Sequence, residues 1–266
     1  MRMTANLRTA ITAKQFRVLY QPILHLKSGS IDKAEALIRW QHPTLGNISP
    51  HEFIPIAEDT GLIIEIGDWV FCEAVAQVQA WRARFNPEFQ ISVNKSPVQL
   101  RSVTKSHIHW SRYLQQHNLP GQSIVVEITE RLLLDTNATV SSKLLEFRDA
   151  HLQVAIDDFG TGYSALSYLK KFDIDYIKID QSFIANLAHG SSDMVLCEAM
   201  IVMAHKLGMK VIAEGIETAE QLALLLKAGC DYGQGYLFSE ALSADDFEQL
   251  LEQRTKIQVR HEVKSL

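Results

Sequence analysis

Short runs of Val, Ile and Leu that do not alternate with polar residues recur through this chain, and most of them stop on a carboxylate or an amide. The runs are Phe16–Leu26, Ala34–Trp40, Gln90–Asn94, Ile124–Thr129, Val154–Asp157, Tyr176–Asp180, Lys210–Ala213 and Tyr232–Phe238. Apolar stretches of this kind fit strands covered on both faces, as in a parallel sheet flanked by helices. The polar stops are Glu35, Asn94, Glu127, Asp157 with Asp158, Asp180, Glu214 and Gln234. In a barrel of parallel strands such ends converge on one face, where bare carboxylates would repel one another strongly. Cations between them would relieve that repulsion, so the pattern points to metal-dependent chemistry.

The stretches between the runs carry helical period. Ile66, Trp69, Val70, Ala74, Val78 and Trp81 form one apolar stripe; Leu144, Leu145 and Phe147 belong to a second, and Met194, Val195, Ala199, Val202 and Met203 to a third. Thr218, with Gln221 three residues on, opens a helix that Gly229 closes, and Ser243 opens the last helix, with Phe247, Leu250 and Leu251 facing inward. About eight strand–helix alternations favour an α/β fold of the (β/α)8 TIM-like barrel type over an open doubly wound sheet. The turn-like Ser28-Gly29-Ser30 is too short for a parallel crossover, so the first two strands form an antiparallel hairpin. The gap from Glu35 to Asn94 has room for two helices. One domain over residues 1–254 and a polar tail over 255–266 are expected.

The net charge of −5 gives no general attraction to nucleic acid or to an anionic membrane. A phosphate substrate would therefore need bound cations and a few placed Lys or Arg. Three scattered cysteines, Cys72, Cys197 and Cys230, read as buried free thiols of a reducing compartment. With no apolar leader and no run long enough to span a bilayer, the expected location is cytoplasmic.

Glu35, Asn94, Glu127 and Asp157 make a hard oxygen set suited to Mg²⁺ or Mn²⁺, and Asp158 beside Asp157 can serve a second ion. Two ions suit phosphodiester hydrolysis. A single such acid is more often a helix cap or a solvated loop end; all of them together are hard to explain that way. Lys178 and Asp180 share one strand face, and a lysine aimed into a barrel must be paired with carboxylates or a phosphate. It can hold an attacking hydroxide or neutralise a phosphoryl group, the alternative being a plain Lys–Asp pair. Arg39 shares the face of Glu35 and suits a phosphate clamp, with a surface arginine as the alternative. The loop Asp158-Phe159-Gly160-Thr161-Gly162-Tyr163-Ser164 can present N–H groups to an anion or move. No zinc-type spacing, GxSxG elbow, Walker loop or Rossmann fingerprint occurs.

Nine ordered blocks then carry a resemblance: Tyr20-Gln21-Pro22-Ile23, Glu35-Ala36-Leu37-Ile38-Arg39-Trp40, Phe53-Ile54-Pro55, Val93-Asn94, Glu127-Ile128-Thr129-Glu130, Asp157 through Ser164, Lys178-Ile179-Asp180, Ala213 through Thr218, and Gln234-Gly235-Tyr236. Between about Leu7 and Leu251 the chain resembles the EAL-domain cyclic-di-GMP phosphodiesterases. The resemblance implies a barrel with an antiparallel first strand that hydrolyses cyclic di-GMP to linear pGpG with Mg²⁺ or Mn²⁺, as two ions. It implies Glu35, Asn94, Glu127, Asp157 and Asp158 as metal ligands, and Lys178 and Glu214 as the residues that position or activate water, Glu214 being also a possible ligand. Gln21, Leu37, Arg39, Asp180, Glu217 and Gln234 match substrate-side or supporting positions, and Glu130 matches the acid that holds the glycine-rich loop. That loop and its helix resemble a homodimer surface. Relatives of this kind often carry sensory or diguanylate-cyclase-like (GGDEF) domains before the barrel; the chain is then either a stand-alone bacterial enzyme or part of a longer protein. Ala165 and Gln181 depart from the usual pattern, and neither is a ligand. A catalytically silent sensor barrel would be expected to have lost acids from the cluster, and none is missing.

Overall fold

The computed structural model describes residues 2–102, 109–133, 138–162, 169 and 172–253. Among the described residues there are nine strands: β1 (Phe16–His25), β2 (Ser30–His42), β3 (Gly46–Ile48), β4 (Gln90–Asn94), β5 (Ile124–Thr129), β6 (Gln153–Phe159), β7 (Tyr176–Ile179), β8 (Lys210–Ala213) and β9 (Tyr232–Gly233). They run in the order β1-β9-β8-β7-β6-β5-β4-β2-β3, and pairing of β1 with β2 closes eight of them into a barrel, with β3 appended to β2. Strand β1 is antiparallel to both neighbours, whereas β2, β4, β5, β6, β7, β8 and β9 pair in parallel. The α/β barrel with an antiparallel first strand is the architecture expected from the sequence.

Local signals account for most element ends. Ser49 caps helix Pro50–Thr60 by accepting from the His51 N–H, Pro50 sits in its first turn, and Gly61 closes it at φ +74°. Helix Ile63–Arg84 follows, so the long gap does hold two helices. Thr218 and Gln221 form a full capping box, and Gly229 ends that helix at φ +83°.

Three apolar clusters hold these elements. Trp40, Phe16 and Phe53 pack at the barrel rim beneath helix Pro50–Thr60. Trp81 stacks on Phe247 of the last helix at 4.5 Å and takes Tyr20 edge-on, tying that helix to β1. Inside the barrel, Ile23, Val125, Ala155, Tyr176, Ile212 and Tyr232 form a small separate core. Polar side chains lie above and below this plug, so the barrel has an acidic upper layer and a polar floor.

Several local readings need correction. Glu35 is not at a strand end: β2 continues seven residues past it, because the segment beyond the rim pairs with β1 (Trp40 with Phe16) and with β3. Strand β9 is only Tyr232–Gly233; past it the chain turns, with Phe238 and Ser239 N–H groups donating to the Gly235 carbonyl. Leu145 is exposed while Leu144 and Phe147 are buried. On helix Ser192–Lys206 the face against the barrel is Met194, Cys197, Ile201 and Ala204; the sequence stripe through Val195, Ala199 and Val202 points to solvent. Cys197 and Cys230 are buried free thiols and Cys72 is half-buried. Among the described residues no helix is long and apolar enough to cross a membrane. The expected tail over 255–266 lies outside the described residues.

Candidate active site

Lys178, on β7, is 1% exposed and stands at the centre of the upper layer. Its Nζ lies 2.7 Å from Glu127 Oε2, 2.7 Å from Glu214 Oε1, 3.2 Å from Asp157 Oδ1 and 3.3 Å from Glu35 Oε2. Strand alternation brings these groups inward from β2, β5, β6, β7 and the residue after β8. One ammonium thus faces four carboxylates.

That imbalance decides the protonation chemistry. Burial alone would pull Lys178 down, but Asp157, Glu127, Glu214 and Glu35 outweigh it and hold the ammonium well above its ordinary value. Burial, the neighbouring Glu35 and Asp157 push Glu127 well above the usual carboxylate range, against the pull of Lys178. Burial pushes Glu214 up to about 7. Glu35 goes the other way: burial would raise it, but Lys178 and hydrogen bonds from Gln234 and Asn94 hold it low. A single cation cannot keep all four acids ionised, so the layer is short of positive charge.

The donor set fits divalent cations. Asp157, Asp158 and Glu214 can bring ligand atoms within 4.8 Å of one another. Glu127 Oε1 is buried without a hydrogen-bond partner. Asn94 donates through Nδ2 to Glu35 Oε1 at 2.7 Å, which leaves its carbonyl oxygen available. Asp157 and Asp158 both reach the mouth because β6 bulges there: these two residues, between Ile156 and Phe159, stand opposite the single Lys178 between Ile177 and Ile179. Asp158 takes φ +54° within the bulge, and its N–H caps Asp157 Oδ1 at 3.1 Å.

A chain of amides steadies Glu35. Gln234 Nε2 donates to Glu35 Oε2 and to Gln21 Oε1, both at 2.8 Å, and Gln21 Nε2 donates to the Ser239 carbonyl at 3.2 Å. Gln21 and Glu35 are direct partners across the β1–β2 ladder. Gly235 lets this turn form, since a Cβ there would lie 2.2 Å from the Ile216 carbonyl oxygen.

A cavity of about 510 Å³ opens beside the acids, with Leu37, Arg39, Asn94, Glu127, Asp157 and Asp158 on its walls. Arg39 donates to the Ile38 carbonyl at 2.9 Å. Asp180 instead caps helix Gln181–Ala185 through the Ser182 N–H and hydroxyl, and Glu217 is exposed before helix Ala219–Ala228; neither lines the cavity. Glu130 is buried, and its Oε2 accepts from the Gly160 and Gly162 N–H groups, each at 3.2 Å. Tyr163, Ser164 and Ala165 of that loop lie outside the described residues, as does most of the segment following them. Sequence reasoning passed over Pro55 and Glu58 as cavity walls, although Pro55 stands in one of the recognisable blocks; Glu58 accepts from Ser96 Oγ at 2.6 Å. It also passed over the Ser239 carbonyl, which no side-chain pattern reveals.

An acid-ringed lysine thus stands at the carboxyl-end mouth of an α/β barrel, beside a largely apolar cavity edged by Arg39, Asn94 and the acids. The chain belongs to the EAL domain family, which matches residues 4–241. It is 38% identical to the cyclic di-GMP phosphodiesterase NbdA of Pseudomonas aeruginosa over 253 residues, covering 94% of this chain and 32% of NbdA. It is also 38% identical to the cyclic di-GMP phosphodiesterase PdeR of Escherichia coli over 247 residues, 93% of this chain and 37% of PdeR. The chain thus spans about a third of the length of these relatives. Among solved structures, the PaMucR phosphodiesterase in complex with c-di-GMP superposes with a TM-score of 0.86 at 35% identity, covering 93% of this chain and all (100%) of that one. The EAL enzyme Bd1971 in its cAMP-bound form gives 0.87 at 33% identity, covering 94% and 70%.

Proposed function

We propose that this barrel hydrolyses cyclic di-GMP to linear pGpG with Mg²⁺ or Mn²⁺, two ions being held together. The observation that carries the reading is Lys178 within its ring of four carboxylates, opening on a cavity walled by Arg39. Glu35, Asn94, Glu127, Asp157, Asp158 and Glu214 would hold the ions. When bound, the ions supply Lewis acidity and lower the pKa of water.

The chain's own groups account for the rest. A water oxygen forms a bond to phosphorus and the P–O3′ bond breaks; the departing 3′-oxygen takes a proton from solvent, leaving a 5′-phosphate and a free 3′-hydroxyl. Glu214 Oε1, with its carboxyl near neutrality, takes the water's proton. Lys178 Nζ keeps its charge throughout and offsets the negative charge that builds on the phosphoryl oxygens. Arg39 orients the phosphate through its planar fork. Gln234, Asn94 and Gln21 fix Glu35 so that it does not reorganise during the reaction. Glu130 holds Gly160 and Gly162, and with them the loop beside Asp158.

Two further parts of the reading concern context. The exposed apolar face of helix Ser192–Lys206, through Val195, Leu196, Ala199 and Val202, suits a second copy of the chain. Met200 of that helix and Phe183 approach Gly160, which connects the face to the loop that Glu130 holds. The substrate is a bacterial second messenger, so the setting is the cytoplasm, with sensory or GGDEF partners in a longer parent chain.

The test pairs equilibrium binding with turnover. Wild-type protein should convert cyclic di-GMP to pGpG in Mg²⁺ or Mn²⁺, and Glu35→Ala should lose turnover while keeping its circular-dichroism spectrum. Near-normal activity of Glu35→Ala with added metal would refute the assignment of the cluster.

A further inference from the structure

The opposite mouth of the barrel, below the apolar plug, holds a second cavity of about 450 Å³ that takes no part in the chemistry above. Lys33 of β2 and Lys210 of β8 both line it. Lys33 is 4% exposed, and its Nζ donates to the Tyr176 hydroxyl at 2.9 Å. The ammonium lies over the rings of Tyr176 and Tyr232, 4.7 and 5.1 Å from their centroids. Tyr176 in turn donates toward Gln90 Oε1 (3.3 Å) or Gln153 Oε1 (3.2 Å), so its hydroxyl is committed in both directions. An ammonium carries three donors, and among the described residues this hydroxyl is the one acceptor that Lys33 reaches.

The nearby carboxylates are committed elsewhere. Asp32 accepts from Ser30 Oγ at 2.6 Å and Asn86 Nδ2 at 3.3 Å. Asp175 accepts from the Val154 N–H at 2.8 Å and Gln153 Nε2 at 3.2 Å. Glu88 faces Arg82 at 3.8 Å. Among the described residues no carboxylate comes within ion-pair distance of Lys33 or Lys210. Lys33 and Lys210 therefore look into one recess, with Asp32 and Glu88 also on its walls but paired to neither. Burial first and Lys210 second bring Lys33 down to about 7, with Asp32 and Asp175 opposing.

We infer that this basal recess is a binding site for a small phosphate-bearing anion, held by Lys33 and Lys210. A dianion matches the two cations and supplies the acceptors that Lys33 lacks, at a place where unmet donors are costly. The volume exceeds a single ion, and Tyr232 and Gln122 on the walls suit the organic part of a phosphomonoester. The shared chemistry is the phosphate group, whether free or carried on a sugar.

Calorimetric titration in EDTA, at fixed ionic strength, tests this with inorganic phosphate, ribose 5-phosphate and ribose as probes. Wild-type protein should bind the two phosphates saturably and ribose not at all; tighter binding of ribose 5-phosphate identifies a phosphomonoester, equal binding inorganic phosphate. Lys33→Met should weaken phosphate binding about tenfold or more, the loss of one charge-assisted contact. Lys210→Ala, at an exposed position where folding is not at risk, should weaken it by roughly threefold or more. Lys227→Ala, an exposed lysine of helix Ala219–Ala228 outside the recess, should bind phosphate like wild type. No saturable binding by the wild type, unchanged affinity in both recess-lysine variants, or an equal loss in Lys227→Ala would each overturn the inference.

Discussion

Replacing Lys178 by Met removes the one positive charge shared by Glu35, Glu127, Asp157 and Glu214 while keeping the volume of the side chain. Removing one partner of a buried ion pair costs 3–5 kcal/mol in general. Asp157 and Glu214 are 17% and 18% exposed and can recover some hydration, so the lower figure of about 3 kcal/mol is the expectation. For a chain of this size that is roughly 6–12 °C in Tm. The sign of the metal effect is the sharper test. Unit charges about 4 Å apart interact by about 4 kcal/mol at an effective dielectric near 20. Deleting Lys178 leaves the acids freer for dications, and even after relaxation the affinity for Mg²⁺ or Mn²⁺ should rise by about tenfold or more. Thermal scans in EDTA and across a metal titration would therefore show a large gap to the wild type that closes as metal is added. Turnover of cyclic di-GMP should meanwhile fall by about 100-fold, and substrate binding by far less, because the lost charge acts on the transition state. A Tm in EDTA within about 2 °C of the wild type, or a metal affinity that does not change, would refute the reasoning.

Other perturbations read other parts of the account. Glu130→Ala removes the acceptor for two loop N–H groups and should lower kcat by roughly 10- to 100-fold with little change in Tm, as steady-state kinetics would show. Burial brings Lys33 down to about 7 from its ordinary 10.5, so between those values the unfolded chain binds more protons and stability rises with pH. Urea melts of Lys33→Met should lack that rise and be more stable than wild type near pH 7, by on the order of 3 kcal/mol. Val202→Asp places a charge on the exposed apolar face and should shift sedimentation toward monomer while leaving the melting temperature almost unchanged.

The barrel was legible because its strands are short Val- and Ile-rich runs and the one short turn, at Ser28-Gly29-Ser30, permits only a hairpin. The acids of the upper layer were legible for the same reason: strand period fixes which side chains share a face, and Lys178 had to be paired to be buried. What escaped the sequence depends on chain segments that meet only in the fold. The β6 bulge that turns both Asp157 and Asp158 to the mouth leaves no composition signal. Helix Arg2–Ala10 carries a weak apolar pattern, and among its described side chains only Leu7 and Ala10 are buried, so its existence rests on the surface beneath it. Helix Ser192–Lys206 is apolar on two faces, and period alone could not say which one meets the barrel. Asp180 reads as a site acid by position, yet a serine two residues on makes it a helix cap.

The most direct test of the central claim is chromatography of cyclic di-GMP incubated with the wild-type chain in Mg²⁺, in Mn²⁺ and in EDTA. The account predicts pGpG in the presence of either metal and none in EDTA. Tight binding without turnover in any metal would contradict it, and would make the acid ring around Lys178 a recognition site rather than a catalytic one.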